Sequence, residues 1–281
     1  MRAMDPITAV MPSVKTVMLR SLLVAGAFAA FGAADAQAVT TSTNWSGYVA
    51  HGAKFRNVSA LWTQPTVTCT PGTQTYSAPW VGIGGYSLRS TALEQIGTEA
   101  DCTASGRQVS SAWYELVPAP SRGIRMTIAP GDVMAGHVSV IGNQVTLTLT
   151  DRTRRKTFTR KVTDKTLDVT SADWILEAPS ECSGNGFQCR PLALANFGSE
   201  TFAKAEAETV SEQTGTIVSH LWQTAEITLS PSDGAHRFTG NAGAGQGQSS
   251  PSPVTGSGTS FSLTYTAITP TPAPPQPASG G

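Results

Sequence analysis

Val138-Ser-Val-Ile141, Gly142-Asn143 and Gln144-Val-Thr-Leu-Thr-Leu-Thr150 run consecutively, and together they decide the fold class. From Gln144 onward the alternation is strict. Val145, Leu147 and Leu149 share one face and Thr146, Thr148 and Thr150 the other, the period of a strand with one side buried. Gly142-Asn143 supplies the tight reversal of a two-residue hairpin between this run and the one before it. The same texture recurs on both sides and predicts further strands over 45–51, 58–63, 78–83, 108–116, 125–128, 157–162, 172–177, 197–207, 217–229 and 261–267. No helical periodicity of useful length interrupts them. Many short strands with Gly/Pro turns predict an all-β chain, an antiparallel sandwich or barrel.

The amino-terminal residues read differently. Arg2, Lys15 and Arg20 give a positive start, an apolar run spans 22–34, and Ala36-Gln37-Ala38 has the small-x-small pattern of a signal-peptidase site. Residues 1–38 are therefore expected to be a secretory signal, too short and alanine-rich for a stable membrane span. The mature chain is expected to be secreted, monomeric and free of the membrane. Its sandwich domain is expected over 39–268, with a loose Gly/Ser/Pro-rich loop at 230–258 and a Pro-rich tail at 269–281. So few residues precede the folded region that latency is expected to depend on pH alone rather than on a pro-segment.

Export makes the four cysteines read as disulfides. Cys182 and Cys189 enclose Ser-Gly-Asn-Gly-Phe-Gln, which can turn tightly enough to bridge them, and Cys69 is then left for Cys102. Three connectivities are formally open, and this one is the most economical. No two cysteines have metal-ligand spacing, and His51, His137, His220 and His236 are scattered, so neither a metal nor a cofactor is expected. Lys plus Arg and Asp plus Glu balance at 19 each, which gives no reason to expect a nucleic acid partner. Charged residues make up only 14% of the chain, a composition compatible with an acidic milieu.

Nucleophile elbows, zinc-protease helices, P-loops and dinucleotide fingerprints are all missing from the sequence. Carboxylate chemistry remains, and Glu94, Glu115 and Glu177 lie near predicted strand ends. Trp113 and Glu115 share a face, as do Ile175 and Glu177. A carboxyl beside an aromatic or aliphatic neighbour is partly desolvated, which raises its pKa and suits it to acid/base work. The plainer reading of each is a solvated surface glutamate.

An ordered series of segments sharpens the choice. Asn44-Trp45-Ser-Gly47, Phe55-Arg-Asn-Val58-Ser-Ala60, Trp80-Val-Gly-Ile83 and Thr91-Ala-Leu-Glu-Gln95-Ile-Gly97 come first. Ala112-Trp-Tyr-Glu115, Ala172-Asp-Trp-Ile-Leu-Glu177, the Cys182–Cys189 loop and Ala193-Leu-Ala-Asn-Phe197 follow. From about residue 43 to 229 the chain resembles the glutamic peptidase (eqolisin) family. That resemblance implies a concanavalin A-like antiparallel β-sandwich and an acid-acting endopeptidase on protein or peptide substrates. It places the catalytic pair at Gln95 and Glu177, with Trp80, Trp113 and Glu115 lining or supporting the groove. It further implies that Glu177 moves the proton of an attacking water while Gln95 holds that water and the oxyanion. Glu94, adjacent to Gln95 on a strand, is expected to face away from the site. Gly84 departs from the pattern, since family members commonly carry an aspartate there. Two other readings compete: a carbohydrate-active sandwich, which needs two carboxyls at its centre rather than a glutamine and a glutamate, and a non-catalytic binding module.

Overall fold

Strands alternate with short turns along the whole of the computed structural model, which describes residues 38–183, 188–231 and 247–268. The Pro-rich tail and all of the expected signal except Ala38, which opens β1, lie outside the described residues. One leaf of the resulting sandwich contains β1 (Ala38–Ser42), β2 (Trp45–His51), β4 (Ala78–Gly84), β5 (Leu93–Cys102), β6 (Gln108–Val117) and β7 (Arg122–Ile124). It also contains β11 (Ser171–Glu177), β16 (Gln223–Leu229), β17 (Gly247–Pro251) and β18 (Phe261–Ala267). The other leaf contains β3 (Phe55–Thr63), β8 (Val133–Ile141), β9 (Gln144–Asp151), β10 (Lys156–Thr163) and β15 (Thr214–Thr216). A separate hairpin pairs β12 (Ser180–Ser183) with β13 (Gln188–Pro191).

β14 (Ser199–Thr209) belongs to both leaves. Its first residues pair with β18 and its later ones with β3, across a register shift between Ala203 and Glu206. Lys204 lies in that shift at φ 51, a bulge conformation that turns one strand around the corner of a sandwich. The site-bearing leaf runs β16-β2-β11-β4-β5-β6-β7, antiparallel throughout.

The alternation read from Val145, Leu147 and Leu149 determines which faces meet. These residues pack with Val58, Trp62, Met134 and Val138 against Tyr48, Val81, Ile83, Ile96 and Trp174 of the opposite leaf. Two tryptophans bind the leaves together in opposite directions. Trp174 Nε1–H donates to the Ser59 carbonyl (2.9 Å), and Trp62 Nε1–H donates to Thr98 Oγ1 (3.0 Å). Each thus buries a large ring without stranding its polar atom.

Three expectations need correction. The strand predicted at 125–128 forms three residues earlier, at Arg122–Ile124, because the Met126 N–H bonds back to the Ile124 carbonyl and turns the chain. The strand predicted over 217–229 begins only at Gln223. Trp222 Nε1–H and Thr224 Oγ1–H both donate to the Ile217 carbonyl and hold 217–222 as a turn. Within the expected loop at 230–258, Gly247–Pro251 is a strand between β16 and β18. Cys69 and Cys102 are joined by a disulfide, and Cys189, also disulfide-bonded, lies opposite Cys182 in the β12–β13 hairpin. The Cys182 side chain lies outside the described residues.

Trp174→Phe and Trp62→Phe each keep most of the buried ring but remove an indole hydrogen bond that ties one leaf to the other. Each is expected to lower the unfolding free energy by about 1–3 kcal/mol, read from the urea midpoint at constant slope.

Candidate active site

Cross-strand pairing aligns the sequence-predicted residues on one face of the β11-β4-β5-β6 leaf. Gln95 stands opposite Glu115 on β6 and Gly82 on β4. In the next row Trp80 stands opposite Gly97 and Ile175, and Gly97 opposite Trp113. In the row after that, Glu177 pairs with Ala78 and Trp45. Trp45, Val49, Ala78, Trp80, Leu93, Trp113 and Ile175 form an apolar cluster of their own on this face, distinct from the core between the leaves. Gly97 is required here. A Cβ at that position would come within 2.5 Å of both the Pro79 carbonyl oxygen and Trp80 Cβ, so only glycine lets Trp80 settle across β5.

Glu177 is held by donors at both oxygens. Asn44 Nδ2–H reaches Oε1 at 2.9 Å and Trp80 Nε1–H reaches Oε2 at 3.0 Å, and the Trp45 side chain also bonds to the carboxyl. Asn44 is itself fixed, because Ser42 Oγ–H donates to Asn44 Oδ1 at 3.1 Å. Burial nonetheless dominates. Desolvation first, and then the negative charge of Glu115, push the Glu177 pKa up to about 8 against the pull of those hydrogen bonds. Glu115 is pushed up to about 7, again by burial, and is restrained by the Gln95 amide.

Gln95 Nε2–H donates to Glu115 Oε2 at 2.7 Å, which fixes the amide orientation. Gln95 is 4% exposed, and its Oε1 meets no donor. Trp113, 8% exposed, carries an indole N–H that is likewise occluded and unmatched. A buried acceptor and a buried donor without partners on one face of the leaf are what a bound water or peptide group would satisfy. Further along β5 the face carries Glu99 and Asp101, which burial pushes toward the neutral form and which hydrogen-bond to each other. Glu94 points the other way, opposite Ile83 and Leu116 on the core side of the leaf.

Two residues of the site were not singled out by sequence reasoning. Asn44 was visible only as the first residue of the Asn44-Trp45-Ser-Gly47 motif. It is 1% exposed, and its amide is committed to Glu177. Asp168 had no sequence signal at all. A side chain at Gly84 would meet the Asp168 carbonyl oxygen at 2.4 Å and its Cβ at 2.9 Å, so Asp168 fills the space where the resemblance leads one to expect an aspartate at 84. Its carboxylate accepts from Gly85 N–H (3.2 Å), Ser90 Oγ–H (2.5 Å), Thr170 N–H (2.9 Å) and Thr170 Oγ–H (2.6 Å). Burial alone would raise its pKa, but these donors prevail and hold it below the usual carboxylate value.

Comparison with known proteins agrees with this architecture. Residues 43–232 match the model of the Peptidase A4 family, and the chain belongs to that family. It is 28% identical over 172 residues to scytalidopepsin B of Scytalidium lignicola and 30% identical over 190 residues to aspergillopepsin-2 of Aspergillus niger. Each match covers 59% of this chain, and the chain spans 64% of each relative's length. Scytalido-glutamic peptidase, solved with a peptide-based transition state analogue, superposes with a TM-score of 0.58 at 24% identity, covering 80% of this chain and 98% of that one. SCP-B, an eqolisin solved with the tripeptide Ala-Ile-His, gives 0.55 at 22% identity, with the same coverage of both chains. The sandwich is thus the fold of the glutamic peptidases.

Asn44→Ala removes one donor to Glu177 while leaving β2 paired. It is expected to lower kcat/KM by about 10–100-fold, the worth of one hydrogen bond to a buried carboxyl. Unchanged peptide hydrolysis by the folded variant would contradict the positioning role.

Proposed function

We propose that the protein is a secreted, acid-acting endopeptidase that hydrolyses peptide bonds with the Gln95–Glu177 pair and one activated water. The observation that carries this reading is the presence on one face of a carboxyl fixed by three side-chain donors and a buried amide oxygen that no donor reaches. The relatives named above are peptidases, and a peptide-based transition state analogue occupies one of the related structures. The charged start, apolar run and Ala36-Gln37-Ala38 support export.

The elevated proton affinity of Glu177 revises the order of events expected from the sequence. In acid the resting carboxyl is neutral, so one oxygen donates its proton to the scissile carbonyl oxygen while the other accepts a proton from the attacking water. The hydroxide equivalent adds to the carbonyl carbon, and the Glu177 carboxyl is neutral again. Gln95 Oε1 accepts from the water and orients it. The remaining Nε2–H, the one not given to Glu115, is free to donate to the oxygen of the tetrahedral intermediate. Glu177 then protonates the departing amine and recovers a proton from the intermediate's hydroxyl, and the C–N bond breaks. A neutral amide suits this position, because a second carboxylate would repel the charge that develops on the intermediate. Trp80 and Trp113 offer flat apolar walls to an extended peptide, and Trp80 keeps Glu177 aimed at it.

The test is hydrolysis of denatured protein by the wild type, Gln95→Ala and Glu177→Gln between pH 2 and 8. Both folded variants are expected to lose at least about 1000-fold in kcat. Near-wild-type turnover by either would remove the dyad, and activity confined to glycosidic substrates would replace the reaction class. The pH profile carries a second expectation. Activity requires the protonated carboxyl, so it holds in acid and falls as pH rises through the Glu177 and Glu115 values of about 8 and about 7. Glu115→Gln takes away the negative charge that raises Glu177 and moves this falling limb to lower pH.

A further inference from the structure

Glu94 occupies a setting that the catalytic reading leaves unused. It is 0% exposed, and both carboxyl oxygens are occluded and meet no hydrogen-bond donor from another residue. Glu200, also buried, differs in accepting the Thr63 N–H at Oε1. Ile83 on β4 and Leu116 on β6 flank Glu94 across the strands. The same face of β5 continues with Ile96 and Thr98, and that of β6 with Tyr114, whose ring stacks on Phe158. From the opposite leaf, β8 and β9 contact β5 and present Met134, Val138, Val140, Val145, Leu147 and Leu149 to the core.

The ionisable groups around this pocket give a carboxylate no help. Asp164 and Asp168, from the connection between β10 and β11, both act on Glu94, and both are negative. Asp151, on the core face of β9, is tied to Arg154. Arg160 shares the core-side register of β10, and Lys165 follows Asp164, but both are exposed and neither is among the groups acting on Glu94. His137 lies in the register of Ser59 and Thr148, off the core face.

We propose that Glu94 is a protonation lock: β5, and with it the adjacent Gln95, is held in the sandwich only while the Glu94 carboxyl keeps its proton. A neutral carboxyl in this pocket leaves two weakly polar atoms without a partner from any other residue, whereas a carboxylate would be buried against two like charges with only its own backbone N–H beside it. Burial, then Asp164, then Asp168 raise its pKa from 4.5 to about 9. The sign follows from linkage. The folded state retains a proton that the unfolded chain releases near pH 4.5, so the stabilisation is complete below that pH. It is lost at up to about tenfold in the folding constant per pH unit as the pH climbs toward the folded value. Glu94 thereby confines the fold to acid independently of Glu177, and the lock stands or falls without the catalytic assignment.

The test is urea unfolding followed by tryptophan fluorescence from pH 3.5 to 9 for the wild type, Glu94→Gln and Glu94→Leu. At pH 4 the variants fold, and Glu94→Gln hydrolyses substrate within about twofold of the wild type. Above pH 5 the folding constant of the wild type falls away from those of both variants, the gap widening by up to about tenfold per pH unit. Other buried carboxyls titrate equally in all three proteins, so the gap belongs to Glu94. Parallel pH–stability curves for the wild type and the variants would overturn the lock. So would failure of both variants to fold at pH 4, where the proposal makes a neutral side chain at this position sufficient.

Discussion

The Trp80 indole bond to Glu177 is the contact on which the rest of the site depends. Trp80 stands in the row between those of Gln95 and Glu177, and its ring forms part of the apolar cluster on that face while its N–H fixes the carboxyl. Several sequence features serve that one placement. Gly97 is bare so that Trp80 can lie against β5, and Trp45 packs edge-on against it with ring centroids 5.0 Å apart. Asn44 then secures the other oxygen of Glu177 from the start of β2. Much of this depends on the β-pleat. Because neighbouring residues point to opposite faces, Gln95 enters the groove and Glu94 the core, and a one-residue slip would exchange them.

Burial, more than pairing, sets the protonation of this protein. Glu94, Asp101, Glu115, Glu177 and Glu200 are all raised, and desolvation is the first cause in each. Their linkage has the same sign, with stability present in acid and lost as pH rises through the folded values. That is opposite to the usual protein, whose paired carboxylates make acid the denaturing direction. Asp132 and Asp168 run the ordinary way, lowered by hydrogen bonds from Arg154 and Ala129 and from Ser90, Thr170 and Gly85 respectively, against a burial that would raise each. Low overall charge hinted weakly at an acidic milieu; the buried carboxyls give that hint a mechanism.

How far the sequence could be read follows from which signals are local. Strands with one apolar face were legible: β9 has its predicted alternation, and β2 and β18 have their predicted bounds. β5 was not predicted as a strand from pattern, because Leu93 on the site face and Glu94 on the core face invert the alternation that Ile96, Ala100 and Cys102 keep with Gln95, Gly97, Glu99 and Asp101. β17 was hidden for the converse reason. Gly-Gln-Ser-Ser-Pro contains no apolar side chain, yet it is paired on both sides, with Ser249 fully buried and its carbonyl accepting from Ser46 Oγ–H. The positions of Gln95 and Glu177 on a common face came from the ordered motifs. Trp80 as a donor to Glu177, and Asp168 against Gly84, depend on contacts across 97 residues and between separate connections, which no local pattern encodes.

Asp168 and Glu94 show what decides a carboxyl's state here. They belong to one electrostatic neighbourhood, since Asp168 is among the charges raising Glu94. Four donors converge on Asp168, which keeps its charge and pins the β4–β5 connection at Gly85 and Ser90, close ahead of Gln95. No donor from another residue reaches Glu94, and burial with the two aspartates pushes it toward the neutral form. Glu94 is fully buried and faces two like charges, whereas Asp168 is only partly buried, so burial and the supply of donors act in the same direction to separate them. A carboxylate clamps the turn that leads into β5, and a carboxylic acid lies beneath that strand. Bringing both to full charge would set them against each other at the point where Gln95 is positioned.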